Sequence, residues 1–341
     1  MFQAEVTYRA VQAVSPGKLE LTLKPLVDPR PGYVRIRVEA CGVCHSDAGT
    51  VEGVFPIAWP RVPGHEAVGV IDVLGDGVEG WTVGQRVGVG FLGGSCGHCQ
   101  ECRGGELVNC RKQEFTGIHH DGGYAEVLIA KASGLMSVPD DLSAVEAAPL
   151  LCAGLTTFSA LRNSPAKAGD LVGVLGIGGL GHLGVQYARH MGLEVAAIGR
   201  GADKSELARK FGAHHYIDSS SVDPGQALQE LGGAALVIST ASGGKAVAQI
   251  VKGLRPGGKV MTLGATPDPI QVATSDLLFT SRSIEGALTG DPATGDATLK
   301  FSVLTGIAAM IETMPLEKAA EAYAKMMSGR ARLRIVLTMQ S

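Results

Sequence analysis

The stretch that decides the fold is Leu171-Val-Gly-Val-Leu-Gly-Ile-Gly-Gly-Leu-Gly-His-Leu-Gly184. It begins as a short apolar strand, breaks into a Gly-x-Gly-x-x-Gly pattern and continues with apolar residues at helical spacing. Strand, glycine turn and helix in this order are the context of a dinucleotide-binding turn. A tight turn without a ligand is the alternative, because the chain holds 48 glycines. We predict that cofactor phosphates bind at the helix N-terminus, on Gly176, Gly178, Gly179, Leu180 and Gly181.

The pattern on either side of this stretch indicates two kinds of domain. From residue 170 onward, short apolar runs alternate with helical patterns, which predicts an α/β fold with a doubly wound parallel sheet. The first third of the chain instead contains short alternating runs separated by Pro-Gly turns, which predicts a mostly β domain. Helical patterns also cover residues 143–161, 297–311 and 316–327, and a last strand is predicted over 333–338.

Bulk composition limits the class of protein. A length of 341 residues suffices for two domains. The net charge of −3 and the aromatic content of 5% offer neither a basic field nor a base-stacking surface, so we expect no nucleic-acid partner. Residues Met1–Val6 lack the basic-then-apolar order of a signal peptide, and no apolar run approaches the length of a membrane span. We expect a cytoplasmic protein without a membrane partner, whose cysteines are reduced and free to bind metal.

Four of the seven cysteines lie within one short, polar, glycine-rich segment. Their Cys-x2-Cys-x2-Cys spacing, with a fourth cysteine eight residues on, lets one loop surround a tetrahedral ion. Four thiolates leave no open position, so we predict a structural zinc on Cys96, Cys99, Cys102 and Cys110. An iron–sulfur cluster fits this spacing less well. The flanking residues carry no net basic patch, which argues against a zinc ribbon that binds nucleic acid.

The other three cysteines are dispersed. Cys41 and Cys44 lie near a strand end, Cys152 precedes the nucleotide-binding strand, and His65 opens another strand. A catalytic zinc needs about three protein ligands and one exchangeable position, and two cysteines with one histidine are a recognised set. Spacing alone does not choose between Cys41 and Cys44. Each residue taken singly is also compatible with a buried structural role.

These motifs together resemble the zinc-dependent alcohol dehydrogenases of the medium-chain dehydrogenase/reductase superfamily, especially the short bacterial and yeast-type members. The resemblance runs nearly end to end, and its motifs occur in the family's order and spacing. It implies a GroES-like catalytic domain over residues 1–151 and 289–341, with the zinc lobe at 91–113, and a Rossmann domain over 152–288. The motifs that carry it are Gly42-Val-Cys-His-Ser-Asp47, Pro63-Gly-His-Glu-Ala-Val-Gly69, the four-cysteine segment, Leu151-Cys-Ala-Gly154 and Gly176-Ile-Gly-Gly-Leu-Gly181.

The resemblance assigns a catalytic zinc to Cys44, His65 and Cys152, which makes Cys41 a packed neighbour. It implies that Glu66 is an acid beside the metal that transiently displaces a ligand. It also implies that Asp47 accepts a hydrogen bond from the far nitrogen of the histidine ligand, which fixes the tautomer. Solvated salt-bridge carboxylates are the alternative for both acids.

The activity that the resemblance implies is the reversible oxidation of an alcohol to an aldehyde or ketone, with hydride passed to a nicotinamide. Ser46 relays the proton from the alcohol, His45 and Arg334 contact the cofactor pyrophosphate, and Thr156 lies beside the nicotinamide. Many relatives carry a histidine five residues after the ligand cysteine, where this chain has Gly49. We therefore expect the proton to leave by a different route.

The end of the second nucleotide-domain strand predicts the cofactor. An acid is expected there to bind the adenosine ribose, but this chain has Gly199 followed by Arg200. A guanidinium in place of a carboxylate suits a 2′-phosphate, so we predict a preference for NADP(H), with Lys204 assisting. The alternative is that Asp203, in a shifted loop, serves as the acid that binds the ribose, which would predict NAD(H).

Substrate and assembly are predicted by alignment with the family. Phe55 and Phe91, with Trp59, line the substrate site and favour primary aliphatic or aromatic alcohols, although core packing is the alternative. A polyol, cinnamyl alcohol or amino-alcohol dehydrogenase is the rival enzyme, and a non-catalytic zinc- or nucleotide-binding protein is the rival outside enzymes. The family implies a homotetramer, or a dimer, whose sheets join near residues 283–287.

Overall fold

A computed structural model describes residues 6–241 and 243–339, and fifteen β-strands are assigned among these residues. In chain order these are β1 (Thr7–Ser15), β2 (Lys18–Pro25), β3 (Tyr33–Val43), β4 (Ala67–Leu74), β5 (Arg86–Val89), β6 (Val127–Lys131), β7 (Leu135–Ser137), β8 (Leu171–Leu175), β9 (Glu194–Gly199), β10 (His215–Asp218), β11 (Ala234–Ser239), β12 (Leu254–Thr262), β13 (Ser283–Gly286), β14 (Ile311–Pro315) and β15 (Arg334–Thr338).

The α-helices are mostly short and concentrate in the second half of the chain. They are α1 (Ala48–Val51), α2 (Gln100–Arg103), α3 (Ala144–Ala147), α4 (Ala153–Arg162), α5 (Gly181–His190), α6 (Ser205–Lys210), α7 (Pro224–Glu230), α8 (Gly244–Val251), α9 (Thr274–Leu278), α10 (Pro292–Thr305) and α11 (Ala319–Met327).

The chain divides into two compact units, Met1–Cys152 with Gly290–Ser341, and Ala153–Thr289. The second unit is built on a six-stranded sheet in the order β10-β9-β8-β11-β12-β13, with every neighbouring pair parallel. Its central strands are buried along their whole length, as expected when helices cover both faces of a sheet. The predicted doubly wound Rossmann sheet is thus confirmed.

The first unit is mostly β, as predicted. A seven-stranded sheet has the order β14-β15-β3-β4-β5-β7, with β6 also paired to β3, and β1 and β2 form a separate antiparallel hairpin. Neighbours in the large sheet are antiparallel except for β14 and β15. The long strand β3 contributes Val34, Ile36 and Val38 to the core and carries the chain to Cys44, which follows its end.

Two predicted helices were wrong in extent. The pattern over 143–161 is broken into α3, a 3₁₀ turn (Ala148–Leu151) and α4, because Cys152 leaves the helical region with φ −128° and ψ −70°. The pattern over 297–311 ends at Thr305, where Gly306 adopts a left-handed conformation, and Ile311 begins β14 instead. In both places a backbone turn overrides the apolar spacing.

The N-terminal segment that entered the signal-peptide prediction lies, up to Glu5, outside the described residues. Across residues 6–241 and 243–339, no single helix has the length and hydropathy to cross a membrane, and one bent pair, residues 144–151 with 153–162, meets those criteria by length and composition only.

Candidate functional site

Four side chains from three separate parts of the first unit meet at one point. Ligand atoms of Cys44, His65, Glu66 and Cys152 all lie within 4.8 Å of one another, and all four residues are buried. Cys44 follows β3, His65 and Glu66 immediately precede β4, and Cys152 lies at the break before α4. Cys41, the alternative left open by spacing, lies inside β3 opposite Leu337 and is outside this group.

The donor set fits a tetrahedral metal ion. The sulfur atoms of Cys44 and Cys152 are 4.0 Å apart, near the roughly 3.8 Å expected for two thiolates that each lie about 2.3 Å from one zinc ion. The Nε2 atom of His65 is buried and has no hydrogen-bond partner among the described residues. The pKa of Cys44 is lowered well below its ordinary value, chiefly because the Cys152 thiol donates a hydrogen bond to it. A thiolate and an unpartnered imidazole nitrogen therefore point at the same space.

Asp47 fixes the orientation of the histidine. Its Oδ1 lies 2.9 Å from Nδ1 of His65, so the imidazole donates from Nδ1 and keeps Nε2 for a metal. Its Oδ2 accepts from the backbone N–H of Cys44 at 2.9 Å and from the Tyr124 hydroxyl at 2.8 Å. Burial and the neighbouring carboxylate raise the pKa of Tyr124 well above 10, so the hydroxyl stays a donor. The Asp47 carboxylate thus links the two segments that carry Cys44 and His65 to the loop that carries Tyr124.

Glu66 is fully buried beside the ligands and is paired with an arginine. One terminal nitrogen of Arg334 lies 2.5 Å from each carboxylate oxygen of Glu66. Burial raises the pKa of Glu66 to about 7, although the guanidinium opposes the shift. A carboxyl with this pKa can gain or lose a proton near neutrality. Arg334, predicted to contact a pyrophosphate, is 4% exposed, and its Nε has no partner among the described residues.

A 3₁₀ turn over His45–Asp47 follows Cys44, and in it His45 and Ser46 are exposed whereas Asp47 is buried. Gly49, two residues past this turn, has the Phe55 ring against its α-carbon, since an added Cβ would lie 2.5 Å from that ring. The ring therefore occupies the space that a longer side chain at Gly49 would need.

The aromatic residues predicted to line the substrate site have different surroundings. Phe91 packs edge-on against His65, with ring centroids 5.0 Å apart, and stacks on Phe115 at 4.7 Å. Phe55 is 42% exposed, and Trp59 is half-buried against Gly53. The structure thus brings Phe91 to the proposed metal ligands, whereas Phe55 lies against Gly49 and Trp59 against Gly53. Apart from its aromatic side chain, nothing in the sequence indicated that Phe115 would lie next to this site.

A second cluster holds the four cysteines of the predicted lobe. The sulfur atoms of Cys96, Cys99, Cys102 and Cys110 all lie within 4.8 Å of one another. Backbone N–H groups of His98 and Cys99 donate to Cys96 and lower the pKa of its thiol to about 6, which favours the thiolate that a metal needs. The His98 imidazole is exposed, and its Nδ1 lies 2.7 Å from the Cys96 carbonyl oxygen.

The glycine pattern of the second unit forms a sharp turn between β8 and α5. Gly176 has φ +90°, which only glycine adopts without strain. A Cβ on Gly181 would lie 1.7 Å from the Gly176 carbonyl oxygen, whereas nothing lies within 4 Å of a Cβ built on Gly178. The Thr240 hydroxyl lies 3.0 Å from the same carbonyl oxygen. The turn is therefore tightly packed between Gly176 and Gly181, and it leaves Gly178 open for close approach of a cofactor phosphate.

The end of β9 lacks space for an acidic side chain. A Cβ on Gly199 would lie 2.5 Å from the Tyr216 hydroxyl, which donates to the Gly201 carbonyl at 2.6 Å. Arg200 and Lys204 follow and are exposed, as is Asp203. Thr156, in the same unit, is buried, and its hydroxyl lies 3.3 Å from that of Thr289.

Tyr124, Tyr216, Phe115 and Thr240 are the functional candidates that sequence reasoning missed. Each contacts a predicted site residue from a distant point in the chain. No spacing or motif distinguishes them from ordinary core residues, and only the Gly122-Gly123-Tyr124 context of the first hints at close packing.

Comparisons with known proteins agree with this geometry. Residues 30–140 match the family model "Alcohol dehydrogenase GroES-like domain", and residues 179–303 match "Zinc-binding dehydrogenase". The alcohol dehydrogenase notN of Aspergillus sp. (strain MF297-2) is 42% identical over 92% of this chain and 93% of its own length.

Solved structures extend the similarity to the whole fold. The CAD of Helicobacter pylori, complexed with NADP(H), has a TM-score of 0.87 and 28% identity, covering 98% of this chain and 99% of its own. The acetophenone reductase of Geotrichum candidum, in complex with NAD, has a TM-score of 0.85 and 28% identity over 98% of each chain.

Proposed function

This chain belongs to the zinc-binding alcohol dehydrogenases of the medium-chain dehydrogenase/reductase superfamily, and from that premise we propose that it interconverts an alcohol and its aldehyde or ketone with NADP(H) as cofactor. It is an oxidoreductase that acts on alcohols and uses zinc and a nicotinamide cofactor. The observation that carries the assignment of the active centre is the convergence of Cys44, His65 and Cys152, with a buried, unpartnered imidazole nitrogen among them.

Two zinc ions per chain are part of the proposal. Cys44, His65 and Cys152 would hold the catalytic ion and leave one position for substrate, whereas the four-cysteine cluster would hold a closed, structural ion. When bound, the catalytic ion supplies Lewis-acid activation of the substrate oxygen, and the nicotinamide accepts or returns the hydride.

The protein's own residues position ligands and handle the proton. Asp47 holds the His65 tautomer through Nδ1, and Glu66 is the acid beside the ligands. The exposed Ser46 hydroxyl, two residues past Cys44, takes the proton from the alcohol and passes it directly to water, because Gly49 has no side chain that could relay it further. His45, Arg334 and Thr156 remain the predicted contacts to the cofactor pyrophosphate and nicotinamide.

The preference for NADP(H) is supported by charge and by space. Arg200 and Lys204 place two exposed cations just after β9, where a 2′-phosphate binds in this fold. The Tyr216 hydroxyl lies 2.5 Å from the position of a Cβ on residue 199, so any side chain there, a carboxylate included, would first have to displace the tyrosine. An arginine–phosphate contact of this kind contributes about 1.5 to 3 kcal/mol, which corresponds to roughly 10- to 150-fold in affinity.

The substrate that we favour is a primary aliphatic or aromatic alcohol. Phe91 packs against His65 and stacks on Phe115, so an aromatic surface lies next to the proposed metal. Apolar rings of this kind favour apolar substrates over polyols. Phe55 and Trp59 remain predicted lining residues. A cytoplasmic location and a homotetramer also belong to the proposal.

Metal analysis combined with a matrix of rates tests the proposal. We expect about two zinc ions per chain, by the ligand sets above, and turnover of primary alcohols that is faster with NADP+ than with NAD+. Arg200→Asp should lower kcat/KM with NADP+ by about 10-fold or more and leave zinc content unchanged. A wild-type enzyme that is faster with NAD+ refutes the cofactor preference. One zinc per chain without turnover favours the non-catalytic alternative.

A further inference from the structure

Tyr124 joins the metal cluster through Asp47. It is fully buried, comes from the loop before β6, and donates its hydroxyl to Oδ2 of Asp47 at 2.8 Å. The other carboxylate oxygen, Oδ1, accepts from Nδ1 of His65 at 2.9 Å. A continuous chain of hydrogen bonds therefore leads from the tyrosine hydroxyl to the imidazole that faces the proposed metal.

The backbone around Tyr124 is fixed to the segment that carries the histidine ligand. The N–H of Tyr124 donates to the Pro63 carbonyl at 3.0 Å, and the N–H of Gly123 donates to the Gly64 carbonyl at 2.9 Å. Gly64 has φ +99°, and a Cβ there would lie 2.4 Å from the Tyr124 ring. The glycine before His65 thus leaves space for the ring, so the hydroxyl reaches the carboxylate from a rigid position.

We propose that Tyr124 is a positioning residue of the metal centre and that it acts through Asp47. This proposal rests on the proposed function of the site. The Cys44 N–H and the Tyr124 hydroxyl hold Oδ2 from two directions, which fixes the plane of the carboxylate. With the plane fixed, Oδ1 holds the tautomer of His65 in which Nε2 is free to bind metal. Removal of the hydroxyl leaves Oδ2 with the backbone donor alone, and the carboxylate gains freedom to rotate.

The test compares metal affinity in Tyr124→Phe and in wild-type protein. Phenylalanine keeps the ring that packs on Gly64 and removes only the hydroxyl. Zinc is titrated against a chromophoric chelator, and the four-cysteine cluster serves as an internal reference in the same molecule. Tyr323→Phe is the matched control, because Tyr323 is also buried and its hydroxyl donates to the Glu52 carboxylate at 2.9 Å.

We expect Tyr124→Phe to weaken zinc binding at the Cys44 cluster by about 3- to 30-fold, somewhat less than the 10- to 100-fold typical of a direct partner of a ligand. Zinc in the four-cysteine cluster and both sites in Tyr323→Phe should remain as in wild type. The visible spectrum of cobalt(II)-loaded protein should shift in Tyr124→Phe alone, because the geometry of the histidine ligand changes.

A second pair of variants separates positioning from general stability. In an Asp47→Ala background, adding Tyr124→Phe should cause no further loss of affinity, because the carboxylate through which the tyrosine acts is absent. An equal loss in both backgrounds, or wild-type affinity in Tyr124→Phe, overturns the inference while the proposed function stands. Wild-type protein that binds zinc only in the four-cysteine cluster overturns the proposed function instead.

Discussion

Adding one methyl group at Gly199 tests whether Tyr216 controls which side chains the cofactor loop accepts. The backbone of Gly199 does not have positive φ, so alanine meets no conformational penalty there. Any effect of Gly199→Ala must therefore come from the contact between its Cβ and the tyrosine. That contact would be 2.5 Å from the hydroxyl oxygen and 3.2 Å from the ring carbon that carries it.

The size of the effect follows from this geometry. Non-bonded heavy atoms pack at about 3.5 to 4.0 Å, so the tyrosine must move by nearly an ångström. The move breaks the hydrogen bond of 2.6 Å to the Gly201 carbonyl. Overpacking and the lost hydrogen bond together cost about 1 to 3 kcal/mol, which lowers the melting temperature of a chain of this length by about 1 to 4 °C.

Thermal unfolding of Gly199→Ala, Tyr216→Ala and the double variant forms a cycle that isolates this contact. The glycine substitution should be destabilising in the wild-type background and nearly neutral once the tyrosine is removed. Kinetics add a functional readout. Gly199→Asp alone should gain little activity with NADH, because Tyr216 obstructs the new side chain. The double variant Gly199→Asp with Tyr216→Ala should gain activity with NADH. An unchanged melting temperature in Gly199→Ala, or a full cofactor switch with Tyr216 present, refutes the reasoning.

Two further substitutions test close contacts at glycines, and a third tests the four-cysteine cluster. Gly64→Ala combines φ +99° with a Cβ 2.4 Å from the Tyr124 ring, so urea unfolding should show a loss of about 3 kcal/mol or more. Cys102→Ser should lower zinc content by one equivalent and destabilise the lobe, because structural metal binding supplies folding energy; metal analysis and calorimetry measure both effects. Gly181→Ala places a Cβ 1.7 Å from the Gly176 carbonyl oxygen, so the turn must distort. A distortion that costs the binding free energy at least about 1.4 kcal/mol raises the Kd for NADPH about 10-fold or more, which fluorescence titration measures.

Each of these has a control in the same chain. Gly77→Ala also has positive φ, but nothing lies within 4 Å of its added Cβ, so it should cost less than Gly64→Ala. Cys41→Ser should leave zinc content unchanged, and wild-type zinc content in Cys102→Ser would contradict the structural site. Gly243→Ala also meets no neighbouring atom but lies outside the turn, so it should bind NADPH as wild type does. If Gly181→Ala binds NADPH equally well, the turn is not the phosphate site.

The sequence by itself determined the features that are encoded by local spacing. The Rossmann sheet could be predicted because the strand, the glycine turn and the helix are contiguous from Leu171 onward. The four-cysteine cluster could be predicted because its ligands lie within one loop, where spacing nearly dictates geometry. The dispersed cluster needed a resemblance to a family, since nothing local separates Cys41 from Cys44.

Loop packing produced a contact that only the tertiary structure decided, and strand register gives the physical reason for a choice that local spacing left open. Cys41 lies within β3 opposite Leu337, whereas Cys44 lies beyond the strand end and reaches the metal cluster. Tyr124 meets Asp47 across 77 residues, and no periodic pattern marks such a pair. Spacing along a chain specifies backbone geometry over a few residues, but the pairing of distant side chains is specified only when the core packs and fixes where each strand ends.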